Sequence, residues 1–200
     1  MPTPATLAVA VLPLLLTACN APAARQDAAP PRRATLVTRV TGLDGPEAVR
    51  YDPDQDVYFI ANFSGGGNEA DDDGFIARVR AADGEFVDPR FIDGARPDVT
   101  LHAPRGMAIV GDTLWAADVD AVRGFDRRTG ETLATVDFSD RDVGFLNDVA
   151  AADDGTLYVT DTGRNLIWRI RAGRIDIAYE GDALGSPNGI TRRDGGFVVV

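Results

Sequence analysis

The sequence predicts an all-β fold, specifically a β-propeller of four-stranded blades. A short motif recurs four times, strand-like runs separated by turn residues follow each copy, and no helical hydrophobic period of useful length occurs after Arg33. The last three copies are spaced by 42 and 41 residues, which is the size of one four-stranded blade. A sandwich would also contain many short strands, but it would not repeat one motif four times.

The motif copies define four units along the chain. Each copy carries Pro or Leu, a polar residue, a short residue and an apolar residue in turn, at 45–49, 103–107, 145–149 and 186–190. Second strands are predicted at 57–62, 113–118, 156–161 and 197–200. Asp-Gly or Gly-Asp pairs before the last three indicate hairpins. Third strands are predicted at 75–79, 122–125 and 166–170, and a turn then leads to a fourth. The first spacing, 58 residues, is longer because residues 64–73 form an insertion.

Residues 1–18 are predicted to be a signal peptide of the lipoprotein type. The apolar run 7–16 is too short to span a bilayer, and the four residues ending at Cys19 resemble a bacterial lipobox, whose cysteine is lipidated. The alternative is an ordinary secretory signal, because the run contains Pro13 and no Lys or Arg precedes it. Residues 19–34, rich in Ala and Pro, are predicted to be a tether, and 35–200 the propeller. We expect an exported protein, periplasmic or lipid-anchored to the cell envelope.

The charge balance argues against one class of partner. Twenty basic and 31 acidic residues give a net charge of −11, which repels phosphate backbones, so nucleic acid is not expected to bind. Cys19 is the only cysteine, and an internal disulfide is therefore excluded.

The sequence ends inside the predicted second strand of the fourth unit, after roughly three and a half blades. Because an open propeller exposes strand edges and an apolar blade face, we expect these residues to belong to a longer protein. The full-length protein is expected to be a monomer.

The polar residue of each motif copy is expected to face the central channel. Equivalent positions of successive blades form a ring, here Glu47, Arg105, Asn147 and Asn188. A carboxylate and amide oxygens suit a hard cation such as Ca²⁺, and the same groups could orient a polar ligand. Arg105 could pair with Glu47 and cancel the charge, or hold an anionic substrate. A wet channel mouth would also carry polar residues without any function.

Several segments resemble the regucalcin/gluconolactonase-like superfamily of six-bladed β-propellers. These are Asn147-Asp148 with the strand ending at Asp161, and Pro187-Asn188-Gly189-Ile190. Further matches to bacterial secreted members are Pro46-Glu47 followed by Tyr51-Asp52, Pro104-Arg105-Gly106-Met107-Ala108, and Asp161-Thr162-Gly163. The resemblance implies a metal-dependent hydrolase of lactones or similar esters.

The resemblance also implies roles for individual residues. The family holds a divalent metal on a Glu, on the Asn of Pro-Asn-Gly and on a later Asp that would also act as the general base. Asn188 matches this asparagine, Glu47 matches loosely because it follows Pro46 rather than preceding a Gly-Pro, and the Asp would lie beyond Val200. Asn147 matches a segment linked to substrate contact, and Asp148 and Arg105 are further substrate-binding candidates. No catalytic residue is assigned.

Other motifs favour structural roles. The acidic insertion carries oxygen ligands at alternate positions, as an EF-hand loop does, but Arg80 stands where the bidentate Glu belongs, and a solvated acidic loop is the simpler interpretation. His102 is interpreted as structural, and Asp118 and Asp161 as acceptors that cap turns.

Two functions stay open at this stage. The first is a metal-dependent hydrolase whose small-molecule substrate binds in the channel. The second is a non-catalytic propeller that binds a ligand or an envelope protein.

Overall fold

The computed structural model describes residues 34–200, and residues 36–200 form one unit. It contains three antiparallel sheets of four strands and one of two strands, each joined in chain order, as the repeat predicts. The predicted signal peptide, Cys19 and the predicted tether up to residue 33 lie outside the described residues. No helix of residues 34–200 combines the length and the hydropathy needed to cross a membrane.

Each motif unit corresponds to one sheet, which we call a blade. Blade 1 comprises β1 (Pro46–Asp52), β2 (Val57–Asn62), β3 (Phe75–Arg80) and β4 (Phe86–Asp93). Blade 2 comprises β5 (Met107–Val110), β6 (Thr113–Ala117), β7 (Ala121–Asp126) and β8 (Thr132–Asp137). Blade 3 comprises β9 (Leu146–Ala151), β10 (Leu157–Asp161), β11 (Leu166–Arg171) and β12 (Arg174–Glu180). A short 3-10 helix, Asp182–Leu184, precedes blade 4, which comprises β13 (Ile190–Arg193) and β14 (Gly196–Val199).

Apolar side chains fill the spaces between successive blades. The cluster shared by blades 1 and 2 includes four fully buried side chains, those of Phe59, Ile92, Leu101 and Phe125. A second cluster, which includes Phe138, Leu146, Val149, Leu157 and Trp168, joins blade 2 to blade 3. Burying a side chain of this size contributes about 1.5–3 kcal/mol, so the contacts between blades hold the sheets face to face.

The first strands of neighbouring blades lie next to one another. The Arg50 Nε donates to the Met107 carbonyl at 2.6 Å, and the Gly106 N–H donates to the Asn147 carbonyl at 2.9 Å. The Ile190 N–H donates to Asp148 Oδ2 at 2.9 Å, which ties blade 4 to blade 3. The motif copies that begin these strands therefore lie at the same end of neighbouring blades.

Candidate functional site

The loops that lead into the first strands are fixed by one repeated contact. In blades 1 to 3, a side-chain oxygen at or just after the end of the second strand accepts hydrogen bonds from backbone N–H groups of that loop. The loop needs these acceptors because it has no strand partner of its own. Asn62 Oδ1 accepts the Asp44 N–H at 3.0 Å, Asp118 Oδ1 the Ala103 N–H at 2.7 Å, and Asp161 Oδ1 the Phe145 N–H at 2.8 Å. The structural role predicted for Asp118 and Asp161 is confirmed.

Asp148, on the first strand of blade 3, contacts both neighbouring blades. Its Oδ1 accepts the N–H of Val149 at 2.8 Å, and its Oδ2 accepts the N–H of Ile190. On the other side it lies so close to Gly106 that a Cβ there would come within 1.8 Å of Oδ1. Burial raises the pKa of Asp148 above that of an ordinary aspartate, although the two N–H donors and the positive charge of Arg50 oppose this effect.

Glu47 is exposed and lies within electrostatic reach of two other candidate site residues, Asp148 and Arg105. Its pKa is raised, first by partial desolvation and then by the negative charge of Asp148, while the positive charge of Arg105 lowers it. These three side chains come from blades 1, 2 and 3. The structure therefore brings together three of the five site residues proposed from the sequence.

Arg105 is buried, with 3% of its surface exposed. Its Nη2 donates to Asn68 Oδ1 at 2.9 Å and to the Gly67 carbonyl, and its Nη1 donates to the Leu146 carbonyl at 3.4 Å. The guanidinium carbon lies 4.0 Å from the centre of the Phe145 ring, a cation–π arrangement. Within residues 34–200 no carboxylate oxygen forms an ion pair with Arg105, so the direct pairing with Glu47 considered above is not formed.

The two asparagines differ in their surroundings. Asn147 is buried, with 3% of its surface exposed. Asn188 is exposed, while its backbone is held by a 2.7 Å bond from its N–H to the Val200 carbonyl. Thr160 links the two blades here, because its Oγ1 accepts the Asp148 N–H at 3.0 Å and donates to the Asn188 carbonyl at 2.7 Å.

One group of three side chains in residues 34–200 could hold a metal ion: His102, Asp118 and Asp120. Arg123 already occupies this group, with Nε 2.5 Å from Asp118 Oδ2 and Nη2 2.7 Å from Asp120 Oδ1. Asp118 also accepts backbone N–H groups, and His102 Nδ1 accepts the Asp72 N–H at 3.2 Å. A cation would have to displace a buried guanidinium, so this cluster is better explained as a structural ion pair.

The acidic insertion is not an EF-hand in the structure. The residues that follow it, Phe75–Arg80, form β3 rather than a helix. Asp72 Oδ1 accepts the Leu101 N–H at 3.1 Å, which anchors the loop to the start of blade 2. The insertion has a second contact that the sequence did not reveal, since its Gly67 and Asn68 hold the Arg105 guanidinium.

The comparisons with known proteins agree on the fold. No protein-family model and no curated protein matches the sequence. Among solved structures, a gluconolactonase of Xanthomonas campestris is 15% identical with a TM-score of 0.61, over 82% of this chain and 57% of that one. Regucalcin of Agrobacterium tumefaciens C58, a calcium-binding protein, is 17% identical with a TM-score of 0.53, over 73% of this chain and 48% of that one. A streptogramin B lyase is 16% identical with a TM-score of 0.51, over 80% of this chain and 63% of that one.

The chain therefore has the fold of the gluconolactonase and regucalcin propellers, as the resemblance in its motifs predicts. It spans between about half and two thirds of the length of these structures. A lyase with the same fold shows that the architecture alone does not select the chemistry.

Proposed function

We propose that the channel mouth binds a polar small molecule and that the protein is a metal-dependent hydrolase of a lactone or a similar ester. The observation that carries this proposal is the convergence of Glu47, Arg105 and Asp148 from three blades, with the pKa values of both carboxyls raised. Groups with perturbed pKa values and opposite charges in a cleft are typical of functional sites. The gluconolactonase fold supports the same reading.

The donor groups at the mouth fit a divalent cation. Glu47 and Asn188 offer exposed carboxylate and amide oxygens, which are the ligands that Ca²⁺ prefers. The repulsion between Glu47 and Asp148 that raises the pKa of Glu47 is relieved when a cation neutralises it. When bound, such a cation polarises a carbonyl group or lowers the pKa of a water molecule.

The remaining residues bind and orient the substrate. Asn147 carries a side-chain amide that can donate to or accept from a hydroxyl group. Asp148 is held rigidly by two backbone N–H groups, and its raised pKa suits it to take up a proton at the mouth. Arg105 supplies a positive charge beside these acidic groups.

The test is calcium titration of the purified full-length protein by calorimetry, together with lactone hydrolysis followed by acid release. We expect stoichiometric uptake that falls at least tenfold in affinity in Glu47→Gln and Asn188→Ala. Glu131→Gln, which removes an exposed carboxylate on the outer hairpin of blade 2, is the matched control. Uptake that is unchanged in both site variants would overturn the proposal.

A second function is favoured by one observation, the positive charge of Arg105 beside Glu47, which opposes cation binding. In this alternative the propeller is a non-catalytic envelope protein that binds a ligand or a protein partner at the channel mouth. Partner binding that survives chelation, with no hydrolysis under any metal condition, would select it.

The proposed location is the cell envelope, with the chain anchored through a lipid on Cys19. Mass spectrometry of the mature N-terminus tests this, because lipidation adds diacylglycerol and acyl chains to that cysteine. A Cys19→Ala variant found in the membrane fraction as before would reject the anchor. The proposed monomeric state is checked by light scattering of the full-length protein.

A further inference from the structure

Arg105 differs from the other buried arginines of residues 34–200 in what balances its charge. Arg123 pairs with Asp118 at 2.5 Å, and Arg127 pairs with Asp52 at 2.6 Å. Arg105 is equally buried, at 3% exposure, yet it is held only by two carbonyl groups, the amide of Asn68 and the Phe145 ring. Burying a cation without a directly paired anion is unfavourable. Desolvation lowers the pKa of Arg105, and the more distant negative charges of Glu47 and Asp118 only oppose this effect.

The geometry shows where a missing anion would lie. Arg105 lines a cavity of about 180 Å³ together with Asn68, Val119 and residues 144–146. This volume is below the roughly 300 Å³ of a site for a whole drug-sized molecule, so it admits one end of a ligand. The same arginine lies within electrostatic reach of Glu47, so the cavity is adjacent to the channel mouth.

Three contacts orient the guanidinium for this role. Both Nη2 hydrogens are used by the insertion, at Gly67 and Asn68, and the Phe145 ring supports one face of the group. These hydrogen bonds of Arg105 are made through Nη1 and Nη2, and none of them uses Nε. A fixed, planar donor group with unused N–H capacity is the arrangement that binds a carboxylate most selectively.

We propose that Arg105, with the insertion that holds it, forms a subsite for a carboxylate of the ligand, so that the protein acts on acid-bearing molecules rather than neutral sugars. The inference rests on the proposal that the channel mouth is the ligand site, and it adds the chemical class of the ligand. It also gives the insertion a function, since residues 67 and 68 position Arg105.

The test compares ligands that differ in one group. Gluconate and glucitol differ in a carboxylate against a hydroxymethyl group, and glucarolactone and gluconolactone differ in the same way. Calorimetry or ligand-observed NMR on the full-length protein should show at least tenfold tighter binding of each acid. Equal affinity for acid and neutral partner, or no binding of either acid at millimolar concentration, overturns the proposal.

Two variants assign the preference to Arg105. Arg105→Met should abolish it, and Asn68→Asp should weaken it severalfold because a carboxylate 2.9 Å from Nη2 would compete with the ligand. Asn68→Asp should also leave thermal stability equal or higher, since it neutralises a buried charge. A preference for acids that is kept in both variants overturns the proposal.

Arg78→Met is the matched control. Arg78 also lies over a phenyl ring, 4.1 Å from the centre of Phe91, and donates to the Arg128 carbonyl, but it lies away from the channel. Its removal should leave the acid preference unchanged. Calcium uptake measured on the same samples separates the two proposals: uptake without acid preference rejects only the carboxylate subsite, and acid preference without uptake rejects only the metal-dependent hydrolase.

Discussion

Asp148 lies directly against the backbone of Gly106, so that a Cβ at residue 106 would fall 1.8 Å from Asp148 Oδ1 and 2.5 Å from its Cα. Real atoms do not approach so closely, and the neighbour that would have to move is a strand residue whose carboxylate is bonded to two backbone N–H groups. The glycine is required here for space. It allows blades 2 and 3 to come together with Asp148 packed against residue 106.

The first prediction follows from this contact. Gly106→Ala should lower the free energy of unfolding by about 1–3 kcal/mol, the usual cost of overpacking, and should weaken ligand binding because Asp148 is displaced. Urea unfolding measures the first effect and calorimetry the second. Gly196→Ala is the control, since its nearest neighbour would be the Arg193 carbonyl at 3.8 Å. A Gly106→Ala protein with native stability and binding would contradict the packing described here.

A second prediction concerns the pKa of Glu47. Because the negative charge of Asp148 raises this pKa and the positive charge of Arg105 lowers it, Asp148→Asn should shift it down and Arg105→Met should shift it up. Carbon-detected NMR titration of the Glu47 carboxyl group measures both shifts. Asp153→Asn, on an exposed loop, should leave it unchanged. Shifts of the same sign in the two site variants would show that the three groups do not interact as described.

The raised pKa values of Glu47 and Asp148 also set a direction for stability. Both carboxyls bind protons more readily in the folded protein, so their contribution is fully present below their ordinary values of roughly 4 and is lost as pH rises through the raised values. A bound cation needs the ionised carboxylates and acts in the opposite direction. Calcium should therefore stabilise the protein more at pH 7 than at pH 4, as thermal unfolding with and without calcium can show.

The blades could be predicted from the sequence because each one is encoded locally. The predicted second strand 57–62 is β2, and the predicted third strands at 75–79 and 166–170 lie within β3 and β11. Alternating apolar residues and tight turns determine such hairpins whatever surrounds them. The ring of polar residues was predicted from the same repeat and stays a prediction, although the positive charge of one member, Arg105, does lower the pKa of another, Glu47.

The contacts between blades could not be predicted in this way. Arg105 meets Asn68 across 37 residues, and no local pattern in the insertion shows that its amide would face another blade. Thr160 reads as an ordinary strand residue, although it joins Asp148 to Asn188. These pairings depend on how the sheets pack, which the repeat alone does not specify.

A fourth prediction tests the side-chain caps that fix the loops leading into the first strands. Asp161 is fully buried and accepts the N–H groups of Gly144 and Phe145 as well as Trp168 Nε1 at 3.2 Å. Asp161→Ala leaves these donors unsatisfied, at about 1–3 kcal/mol for each lost buried partner, so we expect a severely destabilised protein. Asp161→Asn should be milder because the amide oxygen still accepts. Denaturant unfolding and a change in tryptophan fluorescence near Trp168 report the effect, and equal stability of both variants with the native protein would reject the capping role.

The last prediction concerns the ion pair that joins blades 1 and 2 away from the channel mouth. Asp52 is fully buried, and Arg127 Nη1 lies 2.6 Å from its Oδ1. Burial alone would raise the pKa of Asp52, but hydrogen bonds from Gln55 and Arg127 outweigh it and the pKa is lowered. The stability from this carboxylate is therefore present above its ordinary value of roughly 4 and is lost as pH falls.

Arg127→Met should therefore cost about 3–5 kcal/mol at pH 7, because it leaves Asp52 charged and buried without its cation. The double variant Arg127→Met with Asp52→Asn should recover much of this loss, since no unpaired charge remains. Both effects are measured by urea unfolding. The stability lost by the single variant relative to the native protein should be smaller at pH 4 than at pH 7, because protonation of Asp52 removes the unpaired charge. Acid preference and calcium uptake should be unchanged in every variant that folds, because Asp52 lies at the opposite end of β1 from Glu47 and Arg127 pairs with none of the site residues. A single variant as stable as the native protein at pH 7 would show that the pair does not hold the two blades together.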